Sequence, residues 1–183
     1  MCGICGFYGE HAAISNNTLE RMNQALVRRG PDEGGVFREF GVGLAMRRLS
    51  IIDLAAGSQP IQNEDGTIWI VFNGEIYNYR ELRAMLSRGG HQFRTYTDTE
   101  VIVHLYEEYG DDLVHHLRGM FAFALWDVRR SRGLLVRDRL GIKPLFYAQA
   151  GDTLLFGSEI KAILAANIVE RNIDYQALDA FFT

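Results

Sequence analysis

The sequence predicts an α+β fold, because strand-like and helical stretches follow one another without strict alternation. Apolar runs typical of strands occur at residues 68–72, 120–126 and 134–137. The connections between the later strands are short, which favours antiparallel neighbours. With 183 residues, 48% of them hydrophobic, the chain fits one compact domain.

The predicted helices carry apolar side chains at helical spacing after residues that cap helices well. They cover residues 18–29, 79–87, 99–109, 112–117, 159–165 and 175–182, and Ser158 is the expected cap of the fifth. The predicted strands are runs bounded by turn-forming residues. They cover residues 4–8, 36–40, 42–49, 68–72, 91–94, 120–126, 134–137, 146–148 and 154–156. We expect residues 55–65, rich in turn formers, to be irregular.

Charge and cysteine content exclude several classes of protein. The chain has 19 Lys and Arg against 23 Asp and Glu, so its net charge of −4 gives no electrostatic reason to expect nucleic acid or an anionic membrane as a partner. No apolar run approaches the ~20 residues of a membrane span, and the N-terminus does not resemble a signal peptide. Two cysteines make no disulfide framework, so we expect a cytoplasmic protein.

Cys2 and Cys5 form a C-x-x-C pattern, which could be a redox pair or half of a zinc site. Zinc takes about four ligands, and no second pair stands at ligand spacing; His115 and His116 also lack such partners. A redox pair would open a helix, whereas residues 4–8 predict a strand. We therefore expect no metal. Residues 2 and 5 of a strand face opposite sides, which makes Cys5 a core residue.

Cys2 follows the initiator Met1 directly, so removal of Met1 would expose a thiol nucleophile and a free α-amine on one residue. Both groups titrate close to neutral pH, and an adjacent amine is a recognised base for such a nucleophile. The alternative is a buried cysteine in an N-terminal strand. While Met1 remains attached the amine is an amide, so we expect a chain that retains Met1 to be inactive or nearly so.

Five polar stretches stand out together. They are Cys2–Ile4, Arg29–Asp32, Arg48–Asp53, Asn73–Asn78 and Thr97–Glu100. Taken singly, each has a structural explanation: Arg-Gly-Pro-Asp can end a helix, Asn-Gly can form a turn, Asp98 can cap a helix, and Arg48 can lie on the surface.

In this order the five stretches closely resemble the glutaminase domain of class II glutamine amidotransferases, with the asparagine synthetase family as the best match. The resemblance continues through residues 119–127, 137–145 and 158–162 and covers essentially the whole chain. It implies the N-terminal-nucleophile hydrolase fold, a four-layer α-β-β-α sandwich of two antiparallel sheets. Residues 137–144 are typical of the family, and we expect a structural role for them.

The resemblance also implies the chemistry. Cys2 would attack the side-chain amide of L-glutamine with its own α-amine as base, and water would hydrolyse the resulting thioester. The amide of Asn73 and the backbone N–H of Gly74 would stabilise the oxyanion.

Glutamine recognition implied by the resemblance calls for one cation and one anion. Arg48 would bind the α-carboxylate, Asp98 would bind the α-ammonium, and Glu75 would lie near it. Backbone groups of Leu49, Ser50, Ile51 and Ile52 would contact the substrate, and Arg29 would border the nucleophile.

The resemblance implies two regions. Residues 1–170 would be the glutaminase domain, and residues 171–183 would begin the connection to a C-terminal synthetase domain absent from this chain. A pyrophosphate-binding Ser-Gly-Gly-x-Asp-Ser stretch is absent. We therefore expect ATP and Mg only in that other domain and no cofactor here. The ammonia acceptor, aspartate or another carboxylate, and a homodimer are left open.

Three other functions remain as alternatives. The first is a catalytically silent glutamine-binding regulatory module, which would not need Cys2. The second is an N-terminal-nucleophile hydrolase for another amide, against which the Arg48 and Asp98 pair argues. The third is a protein-interaction domain, for which the sequence offers no specific sign.

Overall fold

The computed structural model describes residues 2–9, 14–15, 17–49 and 57–182. These residues form two sheets in which every paired strand is antiparallel. The five-stranded sheet has the order β2-β3-β1-β9-β8 and the four-stranded sheet the order β4-β5-β6-β7. The strands are β1 (Gly3–Tyr8), β2 (Glu33–Glu39), β3 (Val42–Arg48), β4 (Ile61–Gln62), β5 (Ile68–Ile76), β6 (Gly119–Asp127), β7 (Arg132–Arg137), β8 (Phe146–Ala150) and β9 (Thr153–Gly157).

The described residues also form helices. They are α1 (Thr18–Gln24), α2 (Tyr79–Arg88), α3 (Glu100–Tyr109), α4 (Leu113–His116), α5 (Ile160–Leu164) and α6 (Tyr175–Phe182), and a 3₁₀ turn at Gly110–Asp112 precedes α4. Helices α1 and α5 pack on the five-stranded sheet, and α2 and α3 pack on the four-stranded one. All side chains of α6 are exposed. In the part of the chain described here, no helix combines the length and the apolar character needed to cross a bilayer.

Three separate apolar cores among the described residues show that they form four layers. One lies between α1, α5 and the five-stranded sheet and contains Cys5 and Met22. A second lies between the two sheets and contains Ile4 and Val71. The third lies between the four-stranded sheet and helices α2 and α3. The predicted α-β-β-α sandwich is therefore confirmed, as is the burial of Cys5, which raises the pKa of its thiol far above the usual range.

Strand β5 is longer than the sequence predicts. An Asn-Gly pair is typical of a turn, but Asn73 and Gly74 continue the ladder with β6, opposite Ala122 and Phe121. A Cβ on Gly74 would lie 2.3 Å from the carbonyl oxygen of Met120. The glycine here permits close approach of two strands instead of a turn.

The strand predicted at residues 91–94 is absent, because its backbone donors bind side chains instead of a neighbouring strand. The N–H of Gln92 donates to Glu64 Oε1 at 2.9 Å, and that of Arg94 donates to Glu100 Oε1 at 2.7 Å. Side-chain carboxylates that accept backbone donors offer the chain an alternative to a ladder.

Ser158 does not cap α5 as predicted. Its hydroxyl accepts a hydrogen bond from the N–H of Ile4 at 3.0 Å, and its own N–H donates to the Ile4 carbonyl at 2.8 Å. Glu159 takes the N-cap position without a side-chain capping bond. The serine therefore anchors the start of β1, immediately after Cys2.

Candidate active site

Cys2 precedes the central strand of the five-stranded sheet and is partly exposed. Its thiol lies 3.9 Å from the carbonyl oxygen of Leu49. The backbone carbonyl of Cys2 accepts a hydrogen bond from Arg29 Nε at 3.0 Å, and Arg29 Nη1 lies 3.4 Å from Glu159 Oε1. Arg29 therefore fixes the backbone of Cys2 through its carbonyl oxygen.

Asn73 lies on β5, in the opposite sheet, and its residue is 2% exposed. Its amide nitrogen Nδ2 is buried and has no hydrogen-bond partner among the described residues. Buried donors are nearly always paired, so an unpaired donor on a residue that lines a cavity is suited to a ligand. An amide N–H is also the type of group that stabilises a developing oxyanion.

Arg48 and Asp98 bring opposite charges to the same cavity. Arg48, at the end of β3, is 6% exposed, and its Nη1 lies 3.3 Å from Glu33 Oε2. Asp98 Oδ2 accepts the N–H of Ile76 at 2.8 Å. Burial, together with the like charge of Glu75, raises the pKa of Asp98 to about 6 although that hydrogen bond opposes the shift. A cationic ligand would favour its ionised form.

The segment that carries Asp98 is held by Glu100, the first residue of α3. The Glu100 carboxylate accepts the N–H groups of Arg94 and Thr95 and the Thr95 hydroxyl, each at 2.7 Å. Burial alone would raise the pKa of Glu100, but contacts with His104 and these donors lower it to about 2. Glu100 is therefore ionised at neutral pH and fixes the turn that leads to Asp98.

Several of the residues described above, from both sheets, line one cavity of about 130 Å³. Its walls include the predicted Cys2, Arg48, Leu49, Asn73, Gly74, Glu75 and Asp98. Arg29 contacts the backbone of Cys2 but does not line the cavity. Ser50, Ile51 and Ile52, predicted to contact the substrate, and Met1 lie outside the described residues. The assigned catalytic and binding roles stay predictions.

The cavity wall also includes residues to which the sequence assigns no role in the site, among them Gln59, Thr97, Thr99 and Lys143. Gln59 Oε1 accepts the N–H of Phe72 at 2.7 Å, beside Asn73. Gln59 belongs to a segment predicted only as irregular, so no periodicity could have identified it. Thr97 and Thr99 flank Asp98 and could have been found from that position.

Residues 137–144 form a turn that is built around Asp138. Its Oδ1 accepts the N–H groups of Leu140 and Ile142, and its Oδ2 accepts those of Phe121 and Lys143. Burial alone would raise the pKa of Asp138, but these backbone donors outweigh it and lower the pKa below its usual value. The turn places Lys143 at the cavity, which gives this stretch a structural explanation.

Together, the fold and the cavity define a class: a four-layer domain of two antiparallel sheets with a cysteine at the head of a central strand. A solved structure of glutamine phosphoribosylpyrophosphate amidotransferase from Bacillus subtilis aligns with a TM-score of 0.71 and 22% identity, over 91% of this chain and 44% of that one. At this identity the likeness shows the fold, and the expected N-terminal-nucleophile hydrolase fold is confirmed.

The family follows from the sequence comparison. Residues 1–183 match the glutamine amidotransferase domain, and the chain belongs to that family. It is 42% identical to asparagine synthetase [glutamine-hydrolyzing] 3 of Bacillus subtilis, over 100% of this chain and 30% of the relative. It is 43% identical to asparagine synthetase [glutamine-hydrolyzing] of Zea mays, over 89% of this chain and 28% of the relative. The chain thus spans less than a third of the length of these relatives.

Proposed function

We propose that this chain hydrolyses the side-chain amide of L-glutamine to glutamate and ammonia through a thioester on Cys2. One observation carries the proposal. A single small cavity is lined by the Cys2 residue, the buried Asn73 residue with its unpartnered amide nitrogen, and two residues of opposite charge, Arg48 and Asp98. A nucleophile, an oxyanion donor and a pair of charges for an amino acid zwitterion are the groups that this reaction requires.

The reaction proceeds in two halves. After removal of Met1, the Cys2 α-amine takes the thiol proton, and the sulfur attacks the carboxamide carbon. The resulting oxyanion receives hydrogen bonds from Asn73 Nδ2 and the N–H of Gly74. When the tetrahedral intermediate collapses, the C–N bond breaks and the α-amine returns its proton to the departing ammonia. Water then attacks the thioester carbonyl, which releases glutamate and restores the thiol.

Substrate selection rests on the charged residues of the cavity. The guanidinium of Arg48 can hold the α-carboxylate of glutamine with two parallel hydrogen bonds. The ionised carboxylate of Asp98 accepts the α-ammonium, with Glu75 adding a second negative charge nearby. An uncharged acyl amide would bring no ammonium to Asp98 and no carboxylate to Arg48, so it would desolvate both charges without gaining a new ionic contact, which disfavours its binding. This argues for glutamine over another amide.

The ammonia would be supplied to an ATP-dependent synthetase domain, as the names of the relatives suggest, with asparagine synthetase as the parent enzyme. In this scheme residues 1–170 are the glutaminase domain, and the wholly exposed helix α6 belongs to the connection that begins near residue 171. ATP and Mg would bind only in the synthetase domain. Hydrolysis in the present cavity needs no cofactor, because thiol, amine and amide donors supply the chemistry. The reduced thiol that this chemistry needs favours the cytoplasm.

Ammonia release from L-glutamine by the Met1-free chain tests the proposal. We expect turnover in the unmodified chain and none in Cys2→Ala, which should still bind glutamine. Cys5→Ala is the matched control, because Cys5 lies on β1, the strand that Cys2 precedes, but packs in the core between that sheet and α1 and not at the cavity. Glutamine binding without turnover in the unmodified Met1-free chain would favour the silent regulatory module.

A further inference from the structure

Outside the cavity, two histidines and two glutamates form a cluster at helix α3, which packs on the four-stranded sheet. Glu64 comes from the turn between β4 and β5, His91 follows α2, and His104 and Glu107 lie on α3. One ligand atom from each residue lies within 4.8 Å of the other three. These four residues, which we call the His-Glu cluster, have no part in the chemistry proposed for Cys2.

Four contacts within the His-Glu cluster have lengths close to the edge of a metal tetrahedron. Glu107 Oε2 lies 3.0 Å from His104 Nδ1 and 3.4 Å from His91 Nδ1. Glu64 Oε2 lies 3.5 Å from His104 Nδ1, and Glu64 Oε1 lies 3.9 Å from His91 Nδ1. Zinc bound at about 2.0–2.1 Å to four nitrogen and oxygen ligands in a tetrahedron separates neighbouring ligands by about 3.4 Å.

Nδ1 of both imidazoles faces the glutamates of the cluster, and the second ring nitrogen of each faces a further carboxylate. His91 Nε2 lies 2.9 Å from Glu108 Oε1. His104 Nε2 is buried without a hydrogen-bond partner among the described residues, and it faces Glu100 Oε1 at 3.9 Å. A carboxylate behind the second ring nitrogen is the arrangement that orients metal-binding histidines.

The two carboxylates are also positioned before any metal binds. Glu107 Oε1 accepts the Asn63 amide at 2.8 Å, and Glu64 Oε1 accepts the N–H of Gln92 at 2.9 Å. Glu107 Oε2 then faces both imidazoles, and Glu64 Oε2 faces that of His104. The side chain of His104 is 1% exposed while that of Glu64 is 33% exposed, so a cation can enter from the Glu64 side.

We propose that the His-Glu cluster is a structural zinc site, with His91 Nδ1, His104 Nδ1 and one oxygen each from Glu64 and Glu107 as ligands. Two neutral imidazoles and two carboxylates balance the charge of a divalent cation, and imidazole with carboxylate suits zinc. Four protein ligands close the coordination sphere, which is typical of structural sites. The metal would join the turn after β4 and the segment before Asp98 to helix α3.

A proton is the competing occupant. Burial alone would lower the pKa of His104, but its contacts with Glu100, Glu107 and Glu64 raise it to about 9. A protonated His104 held by carboxylates would stabilise the same arrangement without metal. The experiment must therefore detect the metal itself and not only the stability of the fold.

The test uses the 183-residue chain stripped of metal with a chelator. Zn²⁺ is titrated in competition with a chromophoric chelator, and Co²⁺ is added in parallel because its visible absorption reports tetrahedral ligation. Glu64→Gln and His91→Gln remove ligands whose side chains are partly exposed, so both variants should fold, which circular dichroism checks. His115→Gln is the matched control, since its side chain is 69% exposed and lies outside the cluster.

We expect one zinc per chain, a tetrahedral Co²⁺ spectrum, and an affinity loss of at least ~100-fold in both ligand variants, above the ~10–100-fold typical of outer groups such as Glu108. Zinc at a hundredfold excess over its dissociation constant should raise Tm by roughly 5–11 °C. Absence of one-to-one binding would overturn the proposal, and so would binding that survives both ligand variants or is lost in His115→Gln.

Discussion

Protonation of Asp98 should control how strongly the cavity binds glutamine. Burial and the neighbouring Glu75 raise the pKa of Asp98 to about 6. Only the ionised carboxylate can pair with the α-ammonium, so the dissociation constant should grow by the factor one plus the ratio of protonated to ionised Asp98. That factor is about 1.1 at pH 7, about 2 at pH 6 and about 11 at pH 5. Glutamine should thus bind about tenfold more weakly at pH 5 than at pH 7.

Calorimetric titration of L-glutamine into the Cys2→Ala chain provides the measurement, because this variant lacks the nucleophile and consumes no substrate. Asp98→Asn should bind weakly with little pH dependence over this range. Glu75→Gln should move the midpoint to lower pH, since it removes the like charge that raises the Asp98 pKa. Equal affinity at pH 5 and pH 7 in the Cys2→Ala chain would refute the pairing of Asp98 with the ammonium.

Three further substitutions test other parts of the site. Asn73→Ala should lower kcat by about 10²–10³ with little change in KM, because the buried amide acts on the oxyanion and not on bound glutamine. Arg48→Gln should raise KM more than it lowers kcat, as initial rates across glutamine concentrations will show, because the α-carboxylate loses its cation. Asp138→Asn should lower the free energy of unfolding by ~1–3 kcal/mol in urea titration, since an amide nitrogen would face backbone donors.

Each of these substitutions has an outcome that contradicts the reasoning. A pure KM defect in Asn73→Ala would mean that the amide orients the substrate. Arg47→Gln is the control for Arg48→Gln, because Arg47 binds Gln24 and is not in the cavity wall. Equal KM effects in the two variants would show a general loss of positive charge. An unchanged urea midpoint in Asp138→Asn would show that the turn is held by other contacts.

Much of the fold could be predicted from local patterns, and the failures have a common physical cause. Helices α2 and α3 and the strand pair around Gly41 follow directly from periodicity and turn residues. The errors occur where partners distant in sequence decide the structure. Asn73 and Gly74 form strand instead of turn because β6 lies beside them, and Ser158 serves β1 instead of its own helix.

In the candidate site, too, some residues could be predicted from the sequence and others depend on partners distant in sequence. Cys2, Arg48, Asn73 and Asp98 were predicted because their motifs resemble a known family, and the structure brings all four to one cavity. Gln59 was missed because no local signal marks a residue whose position depends on Phe72.

The His-Glu cluster was missed because its ligands come from three segments. Zinc motifs that can be recognised in a sequence consist of Cys or His pairs at short spacing, and His91 and His104 do not form such a pair, so the sequence predicts no metal. Only the packing of α3 against the turn after β4 reveals that Glu64 and His104 are neighbours.

The most direct test of the central claim is the intact mass of the Met1-free chain, quenched in acid during turnover of L-glutamine. The account predicts a fraction of molecules heavier by the mass of glutamine less ammonia, with the added group mapped to Cys2 by peptide analysis. Cys2→Ala should show no such species, and Cys5→Ala should show it undiminished. Ammonia release without any adduct on Cys2, or an adduct that persists in Cys2→Ala, would contradict covalent catalysis by this residue.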